Sequence, residues 1–150
     1  MDLSIDLNKT GLSMILKTYE QIILRRLWEL SQIPTNNWPS RENLMNSREA
    51  WDYTNEKLPE GESISRASVI NFLNKMVEEG VLDYEETTGK GGHRALYYAM
   101  QTEQQFLETV MKEAVKGMLE GTGQTHILEA YTRYIAKMKL SETAAINRLE

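Results

Sequence analysis

Arg66, Ala67, Ser68, Asn71, Asn74 and Lys75 recur at one-, three- and four-residue steps, so on a helix they gather hydrogen-bonding groups along an outward flank. Arginine pairs bidentately with guanine, asparagine with adenine, and a small apolar side chain such as Ala67 meets the thymine methyl. Ser65, just ahead of this run, is a candidate N-cap, and a helix N-terminus there offers N–H groups and partial positive charge to a phosphate. A second cluster follows at Gly89-Lys90-Gly91-Gly92-His93-Arg94. Lys90, His93 and Arg94 place up to three cations on a glycine-rich turn whose backbone can approach a neighbour closely, chemistry suited to phosphates or a minor groove.

Charge distribution supports this chemistry. The chain carries 22 acidic and 17 basic residues among 150, a net charge of −5, which argues against general affinity for polyanions. Yet no Asp or Glu occurs from Ser63 to Val77 or from Thr87 to Thr102, where the average density would give about two in any fifteen residues. These two windows are the faces expected to meet DNA.

The elements that must position them are legible on either side. Val69, Phe72, Leu73, Met76 and Val77 form one apolar helical face, Ile64 and Val69 occupy the hydrophobic-staple positions, and Gly80 supplies a left-handed stop. Leu82, Tyr84 and Glu86 begin a strand, and the alternating Leu96, Tyr98 and Met100 return from the basic tip. Helix, stop and hairpin together predict a winged helix-turn-helix. The fold class expected is mainly α with a small β-hairpin wing, followed by C-terminal dimerisation helices.

Upstream, Leu12, Ile15, Leu16, Tyr19, Ile22, Ile23, Leu27 and Leu30 predict a helix over 12–31, with Leu24 and Trp28 widening its apolar face. Pro34, Asn36, Asn37 and Pro39 interrupt the pattern. A second helix from Ser47 to Leu58 turns Trp51, Thr54 and Leu58 inward, or it starts as early as Arg41; Pro59, Glu60 and Gly61 then make a turn. Downstream, Thr102 and Gln105 fit a capping box for a helix marked by Leu107, Val110, Met111, Ala114 and Met118 and ending near Gly121. A Gly121–Gly123 link leads to a last long helix striped by Ile127, Leu128, Tyr131, Tyr134, Ile135 and Met138. Ser141 is expected to cap a short closing turn with Ile146 and Leu149.

The division expected is a DNA-binding domain over 12–100 and a helical dimerisation region over 101–150. So small a helical tail needs something to pack against, either the same region of a second copy through helices 102–140, with helix 12–31 contributing, or the domain of its own chain.

Other chemistries find little support. The chain has no cysteine, which excludes disulfides and thiolate metal sites. His93 and His126, its two histidines, have no carboxylate at metal-motif spacing beside them, so no metal and no cofactor is expected, and His126 reads as a surface residue early in the last helix. Gly89-Lys90-Gly91-Gly92 joins two strands and lacks the Ser or Thr of a phosphate loop. No nucleophile elbow or paired-carboxylate arrangement points to an enzyme. No apolar run approaches a membrane span and the start lacks a signal peptide, so a cytoplasmic protein is expected. Eight methionines suggest adaptable core packing, or as a sharper reading a small-molecule pocket between helices.

The run Ser65-Arg66-Ala67-Ser68-Val69-Ile70-Asn71-Phe72-Leu73-Asn74-Lys75-Met76-Val77-Glu78-Glu79-Gly80-Val81-Leu82, closed by the Tyr97-Tyr98 strand and the Thr102 helix, resembles winged-helix repressors. The nearest likeness is the penicillinase-repressor group (BlaI/MecI/CopY), with MarR-like repressors next. The resemblance covers about residues 47–120 and implies that the helix Ser65–Glu79 enters a major groove, that the hairpin Thr87–Arg94 touches the backbone, and that C-terminal helices dimerise. Three departures stand out: a longer connection from Ile33 to Asn46, an extension before residue 12, and the absence of the cysteines used by the copper-responsive branch. The function expected is therefore a homodimeric transcriptional repressor binding a pseudo-palindromic stretch of double-stranded DNA, its small-molecule effector unread from the sequence. The alternative is a winged-helix module that binds a protein and not DNA.

Overall fold

The structure, a computed structural model, describes the backbone of residues 2–122 and 125–149, and their side chains except at 121–122, 125–127 and 149. The expectations for Gly123 and for the side chains of His126, Ile127 and Leu149 lie outside the described residues. The elements, in chain order, are α1 (Thr18–Ser31), β1 (Met45–Asn46), α2 (Ser47–Lys57), α3 (Arg66–Glu78), β2 (Leu82–Gly89), β3 (Gly92–Ala99), α4 (Glu103–Thr122) and α5 (Thr125–Leu149). Two compact units divide within α4: residues 1–109 and 110–150.

Local signals set most of the boundaries. Asn46 accepts the Glu49 N–H at 2.9 Å and Glu49 accepts the Asn46 N–H at 2.9 Å, a reciprocal cap that starts α2 at Ser47. That settles the earlier alternative, since Arg41–Asn43 forms a separate 3-10 turn. Ser65 caps α3 by accepting the Ser68 N–H at 3.1 Å. At the other end Gly80 takes φ +75°, with Val81 N–H donating to the Met76 carbonyl and Gly80 N–H to that of Val77. These paired bonds need a left-handed residue at position 80. Thr102 and Gln105 cap α4 reciprocally, at 3.1 and 2.9 Å.

Three expectations are corrected. The helix over 12–31 is split into a 3-10 turn at Gly11–Met14 and α1 from Thr18, because extended Lys17 gives its N–H to the Glu20 carboxylate at 2.7 Å and restarts the helix there. Leu12 and Leu16 are nonetheless buried, so the apolar spacing reported burial without a continuous helix. Ser141 caps nothing: α5 runs unbroken to Leu149, helped by Glu142, Ala144 and Ala145 and the absence of Gly or Pro. Thr143 donates back to the Lys139 carbonyl at 2.9 Å, as helix-interior threonines do. Met100 lies beyond β3 and is exposed, whereas Tyr97 and Ala99 are buried. Both faces of β3 are covered there, so simple alternation fails.

The antiparallel sheet has the order β1-β3-β2, with Met45 opposite Tyr97, and Glu86, Thr87 and Thr88 opposite Ala95, Arg94 and His93. Its inner end joins a core of Ile23, Leu24 and Leu27 from α1, Val69, Leu73 and Met76 from α3, and Phe106 from α4, all inaccessible to solvent. Phe106, absent from the predicted stripe of α4, packs on Trp28 with ring centroids 5.8 Å apart. Asn43 is the buried polar hub of the long 33–46 connection. It donates to the Leu30 and Ile33 carbonyls at 2.8 and 3.0 Å and accepts the Ser40 N–H at 3.1 Å. In the second unit Met111, Met118, Leu128, Tyr134 and Met138 are exposed along α4 and α5. No helix among the described residues is long and apolar enough to cross a membrane.

Candidate nucleic-acid interface

Burying Val69, Phe72, Leu73 and Met76 leaves the opposite side of α3 to solvent, and Ala67, Asn71 and Asn74 are exposed there at steps of four and three. Asn74 is not a free amide: its Oδ1 accepts the Tyr97 hydroxyl at 2.9 Å, which fixes the amide plane. Burial, followed by the charge of Tyr84, holds the Tyr97 hydroxyl above its ordinary pKa, so it remains protonated and a donor at neutral pH. Ser65 and Ser68 serve the helix start, their hydroxyl oxygens 2.9 Å apart. Lys75 is half-buried on a different flank, where it lines a cavity beside the N-terminal segment together with Phe72 and Met76.

Arg66 turns toward the first residue of α2, with a guanidinium nitrogen 3.3 Å from Ser47 Oγ. There it joins Arg48, His93 and Arg94 around a recess of about 260 Å³ whose floor is Ile70, Ala95 and Tyr97. Pairing of β1 with β3 builds this place, because it fixes the start of α2 beside Leu96 and Tyr97. Arg48 is paired with one acid among the described residues, Asp52 at 3.9 Å, with both side chains largely in water; such a pair yields readily to a phosphate. Neither Arg66 nor Arg94 has an acidic partner among the described residues. Arg94 donates to the Lys90 carbonyl at 3.1 Å, bracing the tip, while Lys90 stands exposed beyond the recess.

Sequence reasoning missed Arg48, Ser47, Asn46 and Tyr97. The cap at Asn46–Glu49 was the available signal, since it fixes a helix N-terminus one residue before a basic side chain. Acids also come closer than their absence from 87–102 suggests: exposed Glu86 is the cross-strand partner of Ala95, on the face that borders the recess. Among the described residues no group of three or more His, Asp or Glu is placed to hold a metal.

A three-helix core, a three-stranded sheet ending in a basic hairpin, and an exposed polar stripe on the helix before that hairpin define a winged-helix protein. The model of the penicillinase repressor family matches residues 44–149, and the chain belongs to that family. It is accordingly a transcriptional regulator whose DNA-binding element is the winged helix, in a family of non-enzymatic regulators. Among solved structures, the chain is similar to TA0346 of Thermoplasma acidophilum, described as a transcriptional regulator, at 22% identity over 83% of this chain and 92% of that one, TM-score 0.40. It is also similar to Bacillus subtilis PadR in complex with operator DNA, at 14% identity over 85% of this chain and 78% of that one, TM-score 0.39. No curated protein matches the chain.

Proposed function

We propose that this protein is a homodimeric repressor that reads a pseudo-palindromic operator. The exposed stripe of α3 enters a major groove, where Ala67 and Asn71 meet base edges and Asn74 offers its amide nitrogen, the oxygen being engaged by Tyr97. One backbone phosphate seats between Arg48, Arg66 and Arg94, with His93 at the rim, and Lys90 follows the backbone beyond the tip. The observation that carries this reading is the recess itself: cationic side chains from α2, α3 and the wing converge beside the stripe, in a chain whose net charge is −5.

The dimer rests on the second unit. A monomer that exposes Met111, Met118, Leu128, Tyr134 and Met138 keeps apolar surface in water that a twofold partner would cover. The apolar residues of α1, Ile23, Leu24, Leu27, Trp28 and Leu30, are already buried, so the proposed twofold needs only α4 and α5. Half-sites then lie about one DNA turn, or a multiple of it, apart.

Binding to random and genomic duplex DNA across a salt series tests the reading, with Arg66→Ala/Arg94→Ala as the variant and sedimentation as the readout of assembly. The variant should lose DNA and keep its oligomeric state. Absence of binding at low salt, or unchanged affinity in the variant, would overturn the proposal in favour of a protein-binding module.

A further inference from the structure

Residues 2–17 lie ahead of the segment matched by the family and form a strap along the inner flank of α3. The strap is sewn down at several points. Asp2 N–H donates to Glu79 Oε1 at 3.2 Å and Leu12 and Leu16 are buried, while Asp6 N–H donates to the Met14 carbonyl at 2.7 Å and folds the strap back on itself. Between these anchors the strap stands off the helix, leaving a cavity of about 370 Å³ bounded by the strap, the start of α1 and α3. That volume falls within the range of small-molecule sites.

The walls specify a ligand class. Leu16, Phe72 and Met76, all buried, supply an apolar floor, and Leu3 an apolar wall. Three lysines and two acids also line the cavity: Lys9, Lys17 and Lys75 against Asp6 and Glu20. Asp6 is paired with Lys9 at 3.7 Å, and Glu20 accepts the backbone N–H of Lys17. No ion pair to Lys17 or Lys75 occurs among the described residues, which leaves one positive charge in surplus, facing an apolar floor.

We propose that this cavity binds a small amphipathic monocarboxylate, its charge held between Lys17 and Lys75 and its apolar body laid on Phe72 and Met76. Such a ligand bridges the strap and α3, and it does so through the residue next to Asn74. Occupancy therefore bears on the operator-reading helix; this regulatory half rests on the DNA reading, whereas the binding site does not.

The 150-residue chain is titrated with hexanoate and benzoate, with acetate as the control lacking an apolar body, and amide shifts are followed by NMR in the absence of DNA. Saturable shifts are expected at residues 14–17 and 72–76, with binding about tenfold weaker in Lys17→Gln and restored in Lys17→Arg. No saturation by about 10 mM of either long acid, equal response to acetate, or undiminished binding in Lys17→Gln would overturn the site. Lys17→Gln should leave affinity for DNA unchanged when no ligand is present. A carboxylate that binds as expected yet leaves that affinity unaltered in the parent protein overturns the coupling to α3; failure of the ligand-free protein to bind DNA refutes the function proposed above and leaves the NMR result standing.

Discussion

Replacing Arg48 with alanine tests the recess at the residue that owes its place there to the fold. Its side chain is three-quarters exposed and its pair with Asp52 is long, so the free protein loses little stability on substitution. On DNA the loss is of one phosphate contact per protomer. Each such contact contributes about 0.9 to the slope of log affinity against log salt, which at about 0.15 M salt is roughly a fivefold effect, or roughly 30-fold on a dimer that makes the contact twice. Fluorescence anisotropy of a labelled random-sequence duplex is sufficient, because the phosphate contribution does not depend on sequence. Between about 50 and about 200 mM salt, the gap between parent and variant should shrink by about tenfold as the slope falls by about 1.8. Asn71→Ala, on the proposed base-reading stripe, should leave both slope and affinity on this duplex unchanged. If Arg48→Ala keeps the parent's slope, no phosphate occupies the recess; if the slope changes by only about 0.9, a single protomer is engaged.

Glu86→Gln removes a carboxylate opposite Ala95, one of the recess residues, and should tighten DNA binding by about two- to fivefold at low salt, the gain vanishing at high salt; weaker binding on the same anisotropy assay would contradict it. Asn43→Ala strips partners from the buried Leu30 carbonyl and from the half-buried Ile33 carbonyl and Ser40 N–H, and should cost about 3 kcal/mol and lower Tm by roughly 10 °C in a calorimetric scan. The Tyr19 hydroxyl is pushed up to about 12 by burial and by the neighbouring Glu20, while the unfolded chain titrates at 10.0. Because the folded state holds this proton more tightly, its contribution is fully present below pH 10 and is lost as pH rises from 10 toward 12. Tyr19→Phe should therefore flatten the fall of denaturation midpoint over that interval, and an unchanged pH profile would show that Tyr19 is not its source.

How far the sequence could be read follows from the distance over which each feature is determined. The caps of α3 and α4 depend on residues within four positions, Ser65 with Ser68 and Thr102 with Gln105, and Gly80 needs only its own backbone to end α3. Those boundaries were legible. Ser141 failed as a cap because no Gly or Pro breaks the helix around it, and Met100 failed as a core position because β3 ends at Ala99, one residue before it. The recess is different in kind. Arg48 and Arg94 meet through a two-residue pairing of Met45 and Asn46 with Tyr97 and Leu96, too short a strand to leave a periodic signal.

The same distinction explains how an acidic chain can hold a polyanion. Net charge acts over about a Debye length in salt, roughly 8 Å at physiological ionic strength, so carboxylates beyond that distance are largely screened from a phosphate in the recess. What counts there is the local set of Arg48, Arg66 and Arg94 against Asp52 and Glu86. Of these acids, Asp52 is already paired with Arg48, and Glu86 stands opposite Ala95 on the neighbouring strand. On the proposed reading, the acid-free windows, and not the net charge of −5, are the part of the sequence that bears on DNA. With the wing and α3 as the proposed DNA face, surplus negative charge outside the windows repels DNA at low salt and orients approach so that they arrive first.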